Sequence, residues 1–277
     1  MVTDSSAVAL LPFYQPTPTA ARIMRFARVV THLAQGLATT IFVFPFVSPR
    51  RKRALIRRWS RQMLVMLGVK RRVNWHHAGG MHGHVMIVAN HISWLDIFVL
   101  NAQQPVRFVA KAELARLPVI GYLCRNAGTL FIERERRRDT HTVNRHTVEV
   151  LERGDLVAVF PEGTTSDGAR LLKFHSSLLQ PIVDARGVVQ PIAIRYRTPT
   201  GQFSDAPAFV GDLTMVGSLW RLTGERSLVA ELHILPLIPA ADRTRRELSA
   251  AAAEAIQTVL ASPASATGPD TRGGRRA

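Results

Sequence analysis

The chain has 277 residues, of which 47% are hydrophobic and 20% charged, a composition that suffices for one sizeable core and excludes wholesale disorder. Its formal net charge is +16, so an anionic partner is expected: a lipid surface, a nucleic acid or an acidic substrate. The single cysteine, Cys124, excludes an internal disulfide, and we interpret it as a small buried apolar side chain.

The N-terminal residues predict a membrane-associated segment. Residues 1–22 have the composition of a loose tail, and residues 23–47 are mostly apolar and approach the roughly 20 residues that cross a bilayer. The basic run 50–53 follows directly, which marks the cytoplasmic side, and residues 54–67 have the pattern of a basic amphipathic helix. We therefore predict that residues 23–70 form a membrane-anchoring helical hairpin, either spanning or interfacial. A hairpin of core helices is the alternative.

Short apolar runs alternate with helical patterns in the remainder of the chain. The predicted strands are 85–89, 106–110, 129–132, 156–160, 188–195 and 228–238, and the predicted helices are 94–102, 119–127, 140–152 and 244–260. This alternation predicts an α/β domain over residues 71–261, with a central, mostly parallel sheet flanked by helices. Residues 262–277 are rich in glycine and arginine and are predicted to be a disordered tail.

The segment from Asn90 to Asp96 directly follows a predicted strand, so His91 is expected at a carboxyl edge of the sheet, where ligands bind in open α/β folds. On one regular helix His91 and Asp96 would point about 140° apart, so they meet only if a helix begins between them. Ser93 is a suitable N-cap for such a helix. Asp96 could then hold one imidazole nitrogen and leave the other as a base for a hydroxyl. The alternative is a capping box, in which Asp96 only caps the helix.

Two further motifs also follow predicted strands. The first runs from Gly128 to Arg134, whose guanidinium could hold a phosphate, although its place in a charge run also suits a solvated surface. The second runs from Phe160 to Ser166. There Gly163 permits an unusual backbone angle, and Glu162 is expected to project into the same crevice as His91; an ordinary turn is the alternative.

These motifs, in this order, resemble those of the glycerolipid acyltransferase family. The family's first pattern, Asn-His-x-x-x-x-Asp, matches Asn90, His91 and Asp96. Its second, Gly-x-x-Phe-Ile-x-Arg, ends at Arg134, and its third, Phe-Pro-Glu-Gly-Thr, matches residues 160–164. A fourth, a proline in an apolar strand, is matched by Pro191, and the resemblance covers roughly residues 70–240.

The resemblance implies acyl transfer from acyl-CoA or acyl carrier protein to the free hydroxyl of lysophosphatidate. His91 would be the general base and Asp96 its orienting partner. The acceptor would be bound by Arg134, Glu162, Gly163, Thr164, Lys173 and Pro191. No bound cofactor or metal is implied. Membrane lipids would be partners and nucleic acid would not, at the cytoplasmic face of a bacterial inner membrane.

Three alternatives bear on this expectation. Thr165 stands where the family usually has an arginine, a form similar to members that acylate lyso-ornithine lipid, which has no phosphate. The basic charge would also suit a non-enzymatic protein that binds membrane or nucleic acid. His91 and Asp96 favour the enzyme, and aromatic residues, at 7%, are sparse for a nucleic-acid-binding protein. A zinc site is not predicted from the closely spaced histidines, because no cysteine or carboxylate accompanies them: His76, His77, His82 and His84.

Overall fold

The computed structural model describes residues 17–77, 83–132 and 137–262. In chain order its helices and strands are α1 (Thr19–Phe42), α2 (Pro49–Met66), β1 (Val69–Trp75), β2 (Val85–Ala89), α3 (Leu95–Gln103), β3 (Arg107–Lys111), α4 (Pro118–Asn126), β4 (Leu130–Ile132), α5 (Arg137–Glu152), β5 (Val157–Val159), α6 (Gln180–Asp184), β6 (Val188–Arg197), α7 (Met215–Gly224), β7 (Leu228–Ile234), β8 (Ile238–Pro239) and α8 (Arg245–Ala261). A 3-10 turn, Ala112–Arg116, joins β3 to α4.

The strands form one sheet in the order β1-β7-β6-β2-β5-β3-β4, with β8 beside β6. β2 pairs in parallel with β5 and β6, β3 pairs in parallel with β4 and β5, and β1 does so with β7. Only the pairings of β6 with β7 and β8 are antiparallel among the described strands. The predicted α/β fold with a mostly parallel sheet is therefore confirmed.

Two cores lie on opposite faces of this sheet. In β2, Ile87 and Ala89 belong to the core shared with α2, α3 and α7, whereas Met86 and Val88 belong to the core shared with α5, α6 and α8. Every residue of β2 is buried. A strand covered on both faces needs no polar side, which explains its uninterrupted apolar sequence.

Several element boundaries differ from the predictions. The expected strand 228–238 is two strands, β7 and β8, because Pro236 lies between them and cannot donate to a ladder. β6 continues two residues past its predicted end, to Arg197. β1 and α7 were not predicted. The basic side chains of β1 obscure its strand pattern, and this strand occupies an edge of the sheet, where charge is tolerated.

The N-terminal hairpin packs against the α/β domain. α1 begins at Thr19, inside the expected loose tail, and residues 1–16 lie outside the described residues. Trp59 of α2 and His32 of α1 exchange hydrogen bonds: each ring N–H donates to the other residue's carbonyl at 3.0 Å, and the rings stack with centroids 5.3 Å apart. Five buried side chains from residues 23–70 join the larger core: Val29, Met63, Leu64, Leu67 and Val69.

A membrane-spanning helix was one form expected for residues 23–47. These residues instead divide between α1 and the 3-10 turn Phe44–Phe46. Within the described ranges, no helix combines the length and the apolar character needed to cross a bilayer.

Candidate active site

The loop between β2 and α3 carries the first motif. α3 begins at Leu95, later than expected, and its N-cap is Trp94 rather than Ser93. The Ser93 hydroxyl still accepts from the Leu95 N–H at 3.2 Å. The chain between β2 and α3 is consequently not helical, which frees His91 to turn toward Asp96 in the first turn of α3.

His91 and Asp96 form a close pair. The Nδ1 atom of His91 lies 2.8 Å from Oδ2 of Asp96, and the two side chains are 18% and 0% exposed, respectively. Because a carboxylate oxygen can only accept, Nδ1 carries the proton in this contact. Nε2 is then the nitrogen left to take a proton from a substrate, as the spacing of the two residues predicts.

The Asp96 carboxylate serves two purposes at once. Besides His91, its Oδ2 atom accepts from the backbone N–H groups of Ile92 at 2.7 Å and Ser93 at 2.9 Å. The bond from Ser93 is the return bond of a capping box, so the capping alternative also describes this carboxylate in part. The two interpretations of Asp96 are therefore compatible.

Tyr196 completes the site, and the sequence analysis missed it. Its hydroxyl donates to Oδ1 of Asp96 at 2.6 Å, so each carboxylate oxygen has a partner. Tyr196 is buried near the end of β6, and burial, followed by the charge of Asp96, raises the pKa of its hydroxyl well above the usual value. It therefore stays a proton donor. Its one sequence signal is a tyrosine near the end of an apolar strand, and only the pairing of β6 with β2 brings it near Asp96.

Glu162 secures the backbone of the same loop. Its Oε1 accepts from the His91 N–H at 2.6 Å, and its Oε2 accepts from the Leu172 N–H at 2.9 Å. The Ser166 N–H donates to the His91 carbonyl at 2.8 Å. Burial raises the pKa of the Glu162 carboxyl above its ordinary value, against the effect of the two backbone donors. Both polar backbone groups of His91 are thus bound by the loop after β5.

The imidazole of His91 also has a fixed plane. Phe160, at the end of β5, stacks on it with ring centroids 3.9 Å apart and planes 10° apart. Phe108 of β3 stacks on Phe160 in turn, at 5.8 Å. Since χ2 of histidine is a soft torsion, this stack limits rotation that the bond to Asp96 alone would allow.

The other predicted binding residues lie on the loop after β5 and within β6. Gly163 adopts a φ of 73°, which fits the predicted unusual turn. Thr164 and Lys173 are exposed on the loop that follows β5. Pro191 is buried within β6 opposite Val88, and its carbonyl accepts from the Leu235 N–H at 3.0 Å. Strand alternation puts its side chain on the opposite sheet face from Tyr196.

Arg134 lies outside the described residues, two positions beyond the end of β4. Thr165, which replaces the family's usual arginine, donates through its hydroxyl to the Phe209 carbonyl. The Phe209 N–H in turn donates to the Ile92 carbonyl at 2.9 Å. The position thus connects two loops at the edge of the site.

The four closely spaced histidines do not form one cluster in the part of the chain that is described. His76 lies 3.1 Å from His233, His77 lies 3.1 Å from Gln190, and His84 lies 3.1 Å from the Ala185 carbonyl. His82 lies outside the described ranges. Among the described residues, no group of three or more histidine, cysteine or acidic side chains could hold a metal ion.

The fold and the site define an α/β enzyme with a histidine–carboxylate pair at the carboxyl edge of its sheet. The profile of the Acyltransferase family matches residues 70–195. The chain is 39% identical over 181 residues to the 1-acyl-sn-glycerol-3-phosphate acyltransferase of Neisseria gonorrhoeae, covering 65% of this chain and 71% of that protein. It is 36% identical over 253 residues to the lyso-ornithine lipid O-acyltransferase of Pseudomonas aeruginosa, covering 88% of this chain and 95% of that protein.

The chain therefore belongs to the acyltransferase family, and the predicted enzyme class is confirmed. A similar fold is seen in the crystal structure of the 1-acyl-sn-glycerophosphate acyltransferase of Thermotoga maritima, with a TM-score of 0.57 at 18% identity, covering 87% of this chain and 98% of that one. That likeness independently supports the α/β architecture.

Proposed function

We propose that this acyltransferase transfers an acyl group from acyl-CoA or acyl carrier protein to the free hydroxyl of lysophosphatidate, giving phosphatidate. The observation that carries the proposal is the His91–Asp96 pair, in which Nδ1 is held and Nε2 is left for a substrate hydroxyl. No bound cofactor or metal is needed, because the thioester is already an activated acyl donor.

The reaction proceeds by direct attack. Nε2 of His91 takes the hydroxyl proton while the acceptor oxygen attacks the thioester carbonyl carbon. Asp96 stabilises the resulting imidazolium and keeps the imidazole oriented. When the carbon–sulfur bond breaks, the imidazolium returns the proton to the thiolate. The products are an ester and a free thiol, and no acyl-enzyme forms.

Acceptor binding is assigned to the loops that surround His91. Arg134, the last residue of the family's second motif, would bind the phosphate of the acceptor. Lys173, Thr164 and the Gly163 backbone would also contact the acceptor head group. Pro191 would support the neighbouring strand. Glu162 fits a positioning role better than head-group contact, because both its oxygens already accept from backbone N–H groups. A carboxylate would also repel a phosphate.

Lyso-ornithine lipid is the second candidate acceptor, favoured by two observations. The relative of that name in Pseudomonas aeruginosa aligns over 88% of this chain. Thr165 also replaces an arginine that the family's usual phosphate site contains, and its hydroxyl donates to the Phe209 carbonyl. An acceptor without a phosphate would not need that arginine.

Thiol release from acyl-CoA, measured with each acceptor, separates these proposals. Lysophosphatidate should support turnover, and Arg134→Ala should raise its KM strongly while leaving the acyl-donor KM little changed. Thr165→Arg should lower the KM for lysophosphatidate. Turnover with lyso-ornithine lipid alone, unaffected by Arg134→Ala, would replace the first acceptor with the second. Vesicle binding without turnover of either would favour the non-enzymatic alternative.

His91→Ala tests the proposed base. A general base typically contributes about 10²–10⁴-fold, so turnover should fall by that order. His175→Ala is a matched control, because His175 is an exposed histidine on the loop after β5. Near-normal turnover by a folded His91→Ala protein would remove this mechanism.

We further propose that residues 23–70 hold the enzyme at the cytoplasmic face of a bacterial inner membrane. Residues 17–68 contain ten arginines and lysines and no acidic residue, which suits an anionic surface. α1 also has an exposed apolar stripe at helical spacing, which includes Ile23, Val30 and Ile41, opposite its buried residues. An interfacial hairpin accounts for both features.

Flotation with vesicles containing phosphatidylglycerol tests the anchor. Val30→Asp and Ile41→Asp should reduce the bound fraction, since each places a charge on the apolar stripe. Deleting the hairpin would be a poor test, because it would also remove core residues such as Leu64 and Leu67. Unchanged flotation of both variants would refute the hairpin as the membrane contact.

A further inference from the structure

Three arginines and one glutamate meet on one face of the sheet. Glu231 of β7 lies directly opposite Arg72 of β1 and Arg195 of β6 in the strand register, so the three side chains share a face. Arg197 follows Arg195 by two residues in the same strand and therefore lies on that face too. We name this group the arginine cluster; it comprises Arg72, Arg195, Arg197 and Glu231.

The Glu231 carboxylate is bound by two of the three arginines. Its Oε1 atom accepts from Nη1 of Arg72 at 3.1 Å, and its Oε2 atom accepts from Nε of Arg197 at 3.0 Å. Arg197 also donates through Nη1 to the Gly201 carbonyl at 2.8 Å. Two members of the cluster are thus paired with the one carboxylate.

Arg195 is the exceptional member of the arginine cluster. It is only 7% exposed, and its buried Nε and Nη2 atoms have no hydrogen-bond acceptor among the described residues. These two atoms form one edge of the guanidinium, whose parallel N–H groups match two oxygens of a carboxylate or phosphate. Buried polar groups almost always have a partner, and an exception calls for an explanation such as a bound ion. The Arg195 side chain therefore indicates an oxyanion.

The charges of the arginine cluster indicate which oxyanion. Three guanidinium groups and one carboxylate leave an excess of two positive charges, because arginine stays protonated in proteins. Lys70, exposed on the same face of β1, adds a positive charge at the rim. Burial, followed by the charge of Arg197, lowers the pKa of the Arg195 guanidinium despite the opposing charge of Glu231. A phosphate dianion would balance the excess and present two oxygens to Arg195.

The arginine cluster lies apart from the catalytic pair. Tyr196 follows Arg195 in β6, so its hydroxyl reaches Asp96 on the opposite face of the strand. Ala193, two residues before Arg195, belongs to the core on the side of α8, and Arg195 lies on that side as well. The sheet therefore separates a phosphate on Arg195 from His91, and this phosphate is not the head group of an acceptor undergoing acyl transfer.

We propose that the arginine cluster is a second anion site, which binds a phosphate dianion through Nε and Nη2 of Arg195. The ligand enters from the side of β1, an edge strand, where the Arg72 side chain is 46% exposed. Inorganic phosphate and the phosphomonoester of a glycerol phosphate or a nucleotide share the required chemistry. Bound phosphate stabilises the join between β1, β7 and β6, and β6 is the strand that carries Tyr196.

Calorimetric titration of the full-length protein with inorganic phosphate, at constant ionic strength in chloride, tests the site. Every protein in the test carries Arg134→Ala, so that the expected acceptor site does not contribute. Phosphate should bind saturably and raise Tm, because a ligand of the folded state stabilises it. Arg195→Lys should raise Kd about tenfold or more, since lysine keeps the charge but lacks two parallel donors. Arg58→Lys is the matched control at an exposed arginine of α2, and its Kd should stay within about twofold of the parent value.

Two further ligands identify the source of the phosphate. These are sn-glycerol 3-phosphate, which represents a lipid head group, and adenosine 3′,5′-bisphosphate, which represents the nucleotide end of CoA. Binding of either at least tenfold tighter than inorganic phosphate, and weakened by Arg195→Lys, assigns the site to that larger ligand. Equal binding of all three assigns it to free phosphate.

A second variant separates binding from a role in folding. In chloride alone, Arg195→Met should keep the Tm of the parent or exceed it, because it removes a buried charge that lacks an acceptor. Arg72→Gln, at the half-exposed edge, should also weaken phosphate binding and serves if Arg195→Lys does not fold. The absence of saturable binding by all three ligands, or equal Kd values for the parent and Arg195→Lys, would overturn the proposal. So would a Tm of Arg195→Met that lies below the parent value by the same amount in chloride and in phosphate.

Discussion

Tyr196→Phe is the most informative change in the active site. It removes one hydroxyl, whose bond to Oδ1 of Asp96 is 2.6 Å long, and keeps the ring that fills the core. The bonds of Oδ2 to His91, Ile92 and Ser93 remain. The variant therefore tests the one contact of Asp96 that the sequence did not predict, without opening a large cavity.

The loss of stability in Tyr196→Phe can be estimated from the groups that the lost hydrogen bond joins. A hydrogen bond to a charged group contributes about 1.5–3 kcal/mol, and Asp96 has no exposed side-chain surface through which water could replace the hydroxyl. For a chain of this size, a loss of that order lowers Tm by roughly 3–12 °C. Turnover should fall about tenfold, equivalent to about 1.4 kcal/mol, because Oδ2 still holds the imidazole while the carboxylate gains freedom to rotate.

The assay is thiol release at a temperature well below the transition of the variant, with circular dichroism to establish folding. A positioning role for Tyr196 predicts a fall in kcat with unchanged KM for the acyl donor, because the bound substrates do not lose a contact. Tyr122→Phe removes the same atom from a half-buried tyrosine in α4 and should leave kcat unchanged.

Two outcomes would refute this reasoning. A folded Tyr196→Phe protein with normal kcat would show that Asp96 does not need its second partner during catalysis. A fall in kcat that disappears when the protein is assayed at lower temperature would indicate lost stability alone.

Two further changes test contacts of the active-site loop, and a third tests an ion pair between β6 and β7. Asp96→Asn keeps one oxygen for the loop N–H groups but removes the one that accepts from Tyr196, so Tm should fall about as far as in Tyr196→Phe, while turnover should fall by about 10²–10⁴-fold because the imidazolium loses its counter-charge. Glu162→Gln leaves one of its two backbone donors without an acceptor, and calorimetry should show a loss of about 1–3 kcal/mol. The pKa of Glu231 is lowered to about 2, first by His233 and then by Arg197, from 4.5 in the unfolded chain. Its stabilising contribution is thus complete above about pH 4.5 and declines as the pH falls toward 2; Glu231→Gln should flatten that part of the Tm–pH curve.

Local sequence determined most of the strands and helices and the contact between His91 and Asp96. Five consecutive apolar residues identified β2 because a strand buried on both faces has no polar side. The strand's end then positioned His91, and five-residue spacing with an intervening break predicted the contact with Asp96 that the structure contains. These inferences succeed because strand burial, helix starts and turns depend on residues close together in the chain.

Tertiary structure alone decided the remaining parts. Tyr196 lies 100 residues from Asp96 and reaches it because β6 pairs with β2, an adjacency that no local pattern encodes. Glu162 accepts a hydrogen bond from the His91 backbone N–H because β5, which precedes Glu162, is the other neighbour of β2. The hairpin, predicted from its apolar and basic runs as a membrane anchor, also contributes to the core through residues such as Leu64. Strand order and helix docking arise from burying all apolar faces together, so they depend on the whole chain rather than on any segment of it.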